Sequence, residues 1–294
     1  MRTTERRAAR REAAAGYLLL SPALIGVVLF LLVPIGVLVW LTFRSWDLLG
    51  PVRPAGLDNW TAVVSDPAYV RSFLVTAIYV VLVIPVQTTL GVLLATLLSR
   101  NLPGSTFVRT VLVLPWVCAP LVLGVVWRWI FRPDGALNAL IGVRIEWLTD
   151  PWLALPVVAF VSAWSQVGYV TLFFMAGLAS IPTQVIEAAR IDGASEWRIF
   201  WSIKLPLLRP TTFFVLVTSV IASFQAFDLV YALVPDGGPK GTTDLIAQRI
   251  YSQTVEANEI GRAAVLALVL FVVLLVVTLA QNAYFSKRMT YDRT

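Results

Sequence analysis

Runs of apolar residues without a single charge recur along the chain, separated by short polar gaps. Gly16 to Phe43 and Ser72 to Ser99 carry no charge, Thr110 to Trp127 extends naturally to about Phe131, and Ala263 to Phe285 is again clean. Pro151 to Ile186 is too long for one helix, so a helix is placed near Leu153 to Leu178 with a turn after it. Thr211 to Val234 is interrupted only by Asp228. A bilayer core about 30 Å thick needs about 20 helical residues, and lipid cannot satisfy bare backbone groups, so each run predicts a spanning helix. The expected fold is all-α: a polytopic membrane protein with six transmembrane helices. Its divisions are a tail at 1–15, a six-helix membrane body at 16–286 and a tail at 287–294.

Composition agrees with this. Of the 294 residues, 58% are hydrophobic and 14% charged, where a soluble domain carries about 25% charged, and the mean hydropathy is +0.80. A soluble enzyme is excluded. The net charge of +6 sits mostly in the gaps, which argues against a nucleic-acid face. The amino terminus, the second and fourth gaps and the carboxyl tail hold 14 Lys and Arg, and the other three gaps hold eight. Basic residues resist translocation, so both termini are expected in the cytoplasm. The first run is too long for a signal peptide and lacks a convincing cleavage site after it, and it reads as a retained anchor. Arg6-Arg7 and Arg10-Arg11 are read as positive-inside anchoring rather than a twin-arginine address. The chain has no His, which removes the commonest general base and neutral metal ligand. Its one Cys, Cys118, cannot form an intrachain disulfide.

The fourth gap, 180–209, carries the most specific pattern: Glu187-Ala188-Ala189, three residues, Asp192 before Gly193, then nine residues to Ile203-Lys204-Leu205-Pro206. Pro182 suits the start of a short helix and Gly193 its left-handed end, with a second short helix closed by Pro206. Polarity alone leaves two readings: a helix that enters a partner's groove, or an amphipathic helix on the membrane surface with Trp197, Phe200 and Trp201 at the interface. The complete spacing resembles the cytoplasmic EAA loop of permease subunits in binding-protein-dependent ABC importers. Gly56-Leu57-Asp58-Asn59-Trp60, Leu114-Pro115-Trp116, Phe227-Asp228 with Tyr231, and Gly237-Gly238-Pro239 resemble the carbohydrate-uptake branch related to maltose and glycerol-phosphate permeases. One departure is Val75-Thr76, where relatives often have Asn before the Thr.

The resemblance implies a subunit of an importer for a sugar or sugar-derived solute in a bacterial plasma (inner) membrane. Its implied partners are a second homologous permease, two ATPase subunits or domains, an extracytoplasmic substrate-binding protein and the lipid bilayer, with no nucleic acid. Glu187, Ala188, Ala189, Asp192 and Gly193 become the coupling residues, on a cytoplasmic coupling helix between helices 4 and 5. A phosphate loop of the form G-x-x-x-x-G-K-[ST] is absent, and Gly237-Gly238-Pro239-Lys240-Gly241 has the wrong spacing. No cofactor is therefore expected on this chain, and ATP and magnesium are expected on the partner ATPase.

Polar groups at membrane depth line a cavity or meet another helix. Ser162, Gln166 and Tyr169 share one helical face with Ser165, and Ser219, Ser223 and Asp228 lie on the fifth span. Hydroxyls, amides and flat rings suit a sugar, so Ser162, Gln166, Tyr169, Ser219, Ser223 and Asp228 are the candidate substrate pathway, although serines also permit close helix packing. For Arg128, an ion pair with Asp228 and snorkelling to the interface both fit. Two other classes of function are weighed. A membrane-embedded enzyme lacks acid-base groups here, and an ion-coupled secondary transporter lacks the expected internal repeat.

Overall fold

The computed structural model describes residues 2–100 and 103–286, apart from the side chains of residues 2–11, 13 and 14. The tail expected at 287–294 lies outside the described residues. The chain forms two compact units, one comprising Met1–Ser65 with Gln253–Leu268 and the other Asp66–Ser252 with Val269–Thr294.

The first unit opens with α1 (Arg2–Val27), so the amino-terminal segment and the start of the first span form one helix. A π turn at Val28–Leu32 leads into α2 (Val33–Leu41). Pro34 follows that turn by two residues, where a wider turn accommodates a residue without an N–H. Arg44–Ser45 (β1) and Arg53–Pro54 (β2) pair antiparallel, and α3 (Asp58–Ser65) follows. Buried Asn59 donates from Nδ2 to the carbonyls of Thr42 (2.9 Å) and Arg44 (2.8 Å). The Gly-Leu-Asp-Asn-Trp motif thus clamps the turn after the first span.

The second unit begins with α4 (Pro67–Leu98), capped by Asp66. Next come α5 (Ser105–Val117) and α6 (Pro120–Ile130), bent by 98° at Cys118 and Ala119. The single third span expected over 110–131 is therefore broken. Pro120 excludes helical backbone at the residue before it, and Ala119 is accordingly extended (φ −59°, ψ 125°). After α7 (Ala136–Ile141), α8 (Ala154–Ala179) is the fourth span and lies within one residue of the expected 153–178. Three helices occupy the fourth gap: α9 (Thr183–Ile191), α10 (Glu196–Ile199) and, after a π turn at Phe200–Lys204, α11 (Leu205–Leu207). Pro206 does not close the second helix as expected. The π turn, in which Leu205 N–H donates to Phe200 O, carries the helix through it. A 65° bend at buried Leu208 then starts α12 (Arg209–Phe224). The fifth span stops at Phe224 and restarts as α13 (Asp228–Leu233), and no proline or glycine marks this break. The chain continues through α14 (Ile246–Tyr251) to α15 (Ile260–Ser286). Among the described residues, four helices qualify as spans by length and composition, or up to six if each bent pair counts as one.

Two apolar clusters set the relation of α4 to α8. Val75, Tyr79 and Val83 pack with Leu155 and the 157–163 turns, while Val92 and Ala95 pack with Val170 and Phe174. Early residues meet early residues and late meet late, so the two helices lie side by side and run in the same direction. At Gly91, one turn before Ala95, an added Cβ would collide with Val170, so the close contact of the two helices needs glycine there.

Candidate functional site

A cavity of about 350 Å³ lies among α4, α5, α8, α12 and α13. Ser162, Gln166, Tyr169, Ser219, Ser223 and Asp228 all line it. Their helical spacing brings them there: Ser162, Gln166 and Tyr169 form one stripe on α8, and Ser219 and Ser223 are one turn apart on α12. Ser162 donates to Val158 O (2.9 Å) and Ser165 to Ser162 O (2.8 Å), so these hydroxyl protons are committed to their own helix and only lone pairs remain for the cavity. These two serines therefore bond within their own helix and line the cavity as well.

Tyr169 stacks on Trp116 at 5.0 Å and meets Phe173 at 4.7 Å, giving the cavity a wall of flat rings. Asp228 begins α13, where the positive end of the helix favours a carboxylate. It is not ion-paired with Arg128 among the described residues: Arg128 lines a different cavity, of about 800 Å³, with Trp129, Arg132 and Trp147. Sequence reasoning missed Tyr79, Gln87, Trp116 and Cys118 as lining residues. Gln87 had a signal, as the only side-chain amide in the second span. Cys118 enters the cavity through the helix break, which the proline at 120 announces.

The segment around Gly193 has a defined exit. Gly193 adopts φ +78°, Gly193 N–H donates to Arg190 O (3.0 Å) and Ala194 N–H to Ala189 O (2.9 Å). This is the two-bond helix end that a left-handed residue makes. No atom lies within 4 Å of where a Cβ would stand on Gly193, so the backbone conformation alone selects glycine. Arg190 points back into the segment: its Nε donates to Glu196 Oε1 (2.8 Å), and Lys204 lies 3.9 Å from Glu196 Oε2. The Arg190 hydrogen bond holds the Glu196 carboxyl below its ordinary range. Glu187, Ala188 and Asp192 are exposed and Ala189 is half-buried, and neither acid takes part in an ion pair among the described residues. Ile191 and Trp197 are exposed beside them.

Residues 87–291 match the family described as binding-protein-dependent transport system inner membrane component. The sn-glycerol-3-phosphate transport system permease protein UgpA of Agrobacterium fabrum is 36% identical over 94% of this chain and 96% of its own length. The probable ABC transporter permease protein YesP of Bacillus subtilis is 34% identical over 93% of this chain and 91% of its own. A crystal structure of a bacterial ABC transporter that imports the acidic polysaccharide alginate superposes with a TM-score of 0.81 at 22% identity, covering 97% of this chain and 99% of that one. This likeness covers nearly the whole chain and shows the fold. The chain belongs to the family of inner membrane components of binding-protein-dependent transport systems, and is a permease rather than an enzyme.

Proposed function

We propose that this permease moves a sugar or sugar-derived solute through the cavity between α4, α8 and α12. The observation that carries the reading is the convergence of Gln166, Tyr169, Ser219, Ser223 and Asp228 on one cavity, where the Trp116 ring stacks on Tyr169. Amides, hydroxyls and a carboxylate match the hydroxyls of a carbohydrate, and stacked rings cover its C–H faces. Relatives support the class: UgpA is named for sn-glycerol 3-phosphate, and an alginate transporter of the same fold has been crystallised with an alginate pentasaccharide-bound periplasmic protein.

In this reading a second homologous permease completes the pathway and an extracytoplasmic binding protein delivers the solute. ATP and magnesium bind two separate ATPase subunits or domains. These engage the segment at Glu187, Ala188, Ala189, Asp192 and Gly193, and both termini of this chain lie in the cytoplasm. Ala188 and Ala189 let the helix sit close against a groove, and the exposed Glu187 and Asp192 offer charged contacts to the partner.

Uptake by the complete transporter in proteoliposomes tests this. Transport of the solute carried by its binding protein is expected to require ATP on the ATPase side, and to collapse when the phosphate-loop lysine of the ATPase is changed. Uptake driven by an ion gradient without ATP contradicts the proposal.

A further inference from the structure

Gln87 sits in the wall of the cavity, only 2% exposed, and its Oε1 has no hydrogen-bond partner among the described residues. A buried acceptor left without a donor weakens a fold, so an apolar residue of the same length would serve packing better at this position. The neighbouring hydroxyls do not relieve it. Ser162, Ser165 and Thr218 line the same cavity, but each gives its proton to a carbonyl of its own helix.

The placement explains what the amide faces. Since α4 and α8 run in the same direction and Gly91 abuts Val170, the residues one turn earlier on each, Gln87 and Gln166, stand at the same level, and both line the cavity. Two amides at one level, one with an unused acceptor, form a site for a ligand rich in O–H donors.

We propose that Gln87 is a substrate-contacting residue whose Oε1 accepts a hydrogen bond from a hydroxyl of a polyhydroxylated solute. This rests on the sugar-class reading above and adds the residue by which α4 takes part in recognition. A solute hydroxyl supplies the donor that the described residues do not offer Oε1, so the fold gives up some stability in exchange for binding.

The test uses the complete transporter in proteoliposomes loaded with ATP, with labelled maltose, N-acetylglucosamine and sn-glycerol 3-phosphate as probes. It compares wild type with Gln87→Met and Gln87→Leu. Each variant is expected to lower uptake of the transported probe about tenfold, the effect of one well-made buried hydrogen bond. The melting temperature of the assembled complex is expected to stay level or rise. Unchanged uptake in both variants overturns the proposal. Loss of uptake together with a fall in melting temperature in both also overturns it, because that is the mark of a structural residue. If wild type takes up none of the three probes with ATP, the sugar-class reading falls instead, and this inference with it.

Discussion

Arg190 and Glu196 meet at 2.8 Å on the surface of the segment between α8 and α12, with side chains about half exposed at 55% and 48%. Asp244 and Arg249 meet in the interior at 11% and 27%, and Ser72 joins them by donating to Asp244 Oδ2 at 2.8 Å. Just beyond, Ile246 N–H donates to Thr76 Oγ1 at 2.8 Å. The same kinds of group therefore serve two different ends. Around Asp244 every charge is answered within the chain, so the segment from α13 to α14 is fastened to α4. Around Glu196 one pair braces two short helices, while Glu187 and Asp192 nearby are left unanswered and exposed. The surface around Gly193 keeps acids without an ion pair among the described residues, two small alanines and an exposed Trp197, whereas the buried Asp244–Arg249 pair is spent on holding two segments of this chain together.

The largest effect should come from breaking the buried side of this contrast. Asp244→Ala leaves the Arg249 charge without its carboxylate, while the Ser72 hydroxyl keeps the Ala68 carbonyl as an acceptor, and the complex should lose about 3 kcal/mol or more of stability, read as a lowered melting temperature. Asp244→Leu combined with Arg249→Met should recover most of that loss, since an apolar pair removes both charges together. A melting temperature unchanged by Asp244→Ala would place this cluster with the surface pairs.

The exposed side should respond weakly. Glu196→Gln should cost well under 1 kcal/mol, because an ion pair in contact with water is screened and must order two long side chains. Its pH dependence has a definite sign. Glu196 is held below its ordinary value of 4.5, chiefly by the Arg190 hydrogen bond. Its small contribution is then fully present above about 4.5 and is lost as the pH falls through the lowered value. A melting curve followed from neutral pH to below 4 should show this loss in wild type and not in Glu196→Gln. Equal slopes in the two proteins would remove the brace from the account.

These regions were not equally legible in the sequence. Gly193 was, because a left-handed helix end is a local demand and its two hydrogen bonds lie within five residues. The cavity-lining residues of α8 were legible for the same reason, since their spacing on a single helix fixes the shared face. The Ser72–Asp244 contact joins residues 172 apart in the chain, and no local pattern announces it. The break at Cys118 was written in Pro120 but masked by the continuous apolar run around it. That between Phe224 and Asp228 has no such marker. Gln87 passed unnoticed because one amide in a long apolar helix reads as packing until the neighbouring helix is known.

The central claim is that the helix ending at Gly193 transmits ATP hydrolysis to the cavity, and co-purification of the ATPase combined with uptake tests it most directly. Gly193→Pro fixes φ near −65° where the structure requires +78° and deletes the N–H that closes on Arg190. Ala189→Trp places bulk where the helix is proposed to seat in a groove. Both variants should insert into the membrane normally and abolish uptake, either by releasing the ATPase or by letting it hydrolyse ATP without transport. Full ATPase association together with full uptake in both variants would contradict the account.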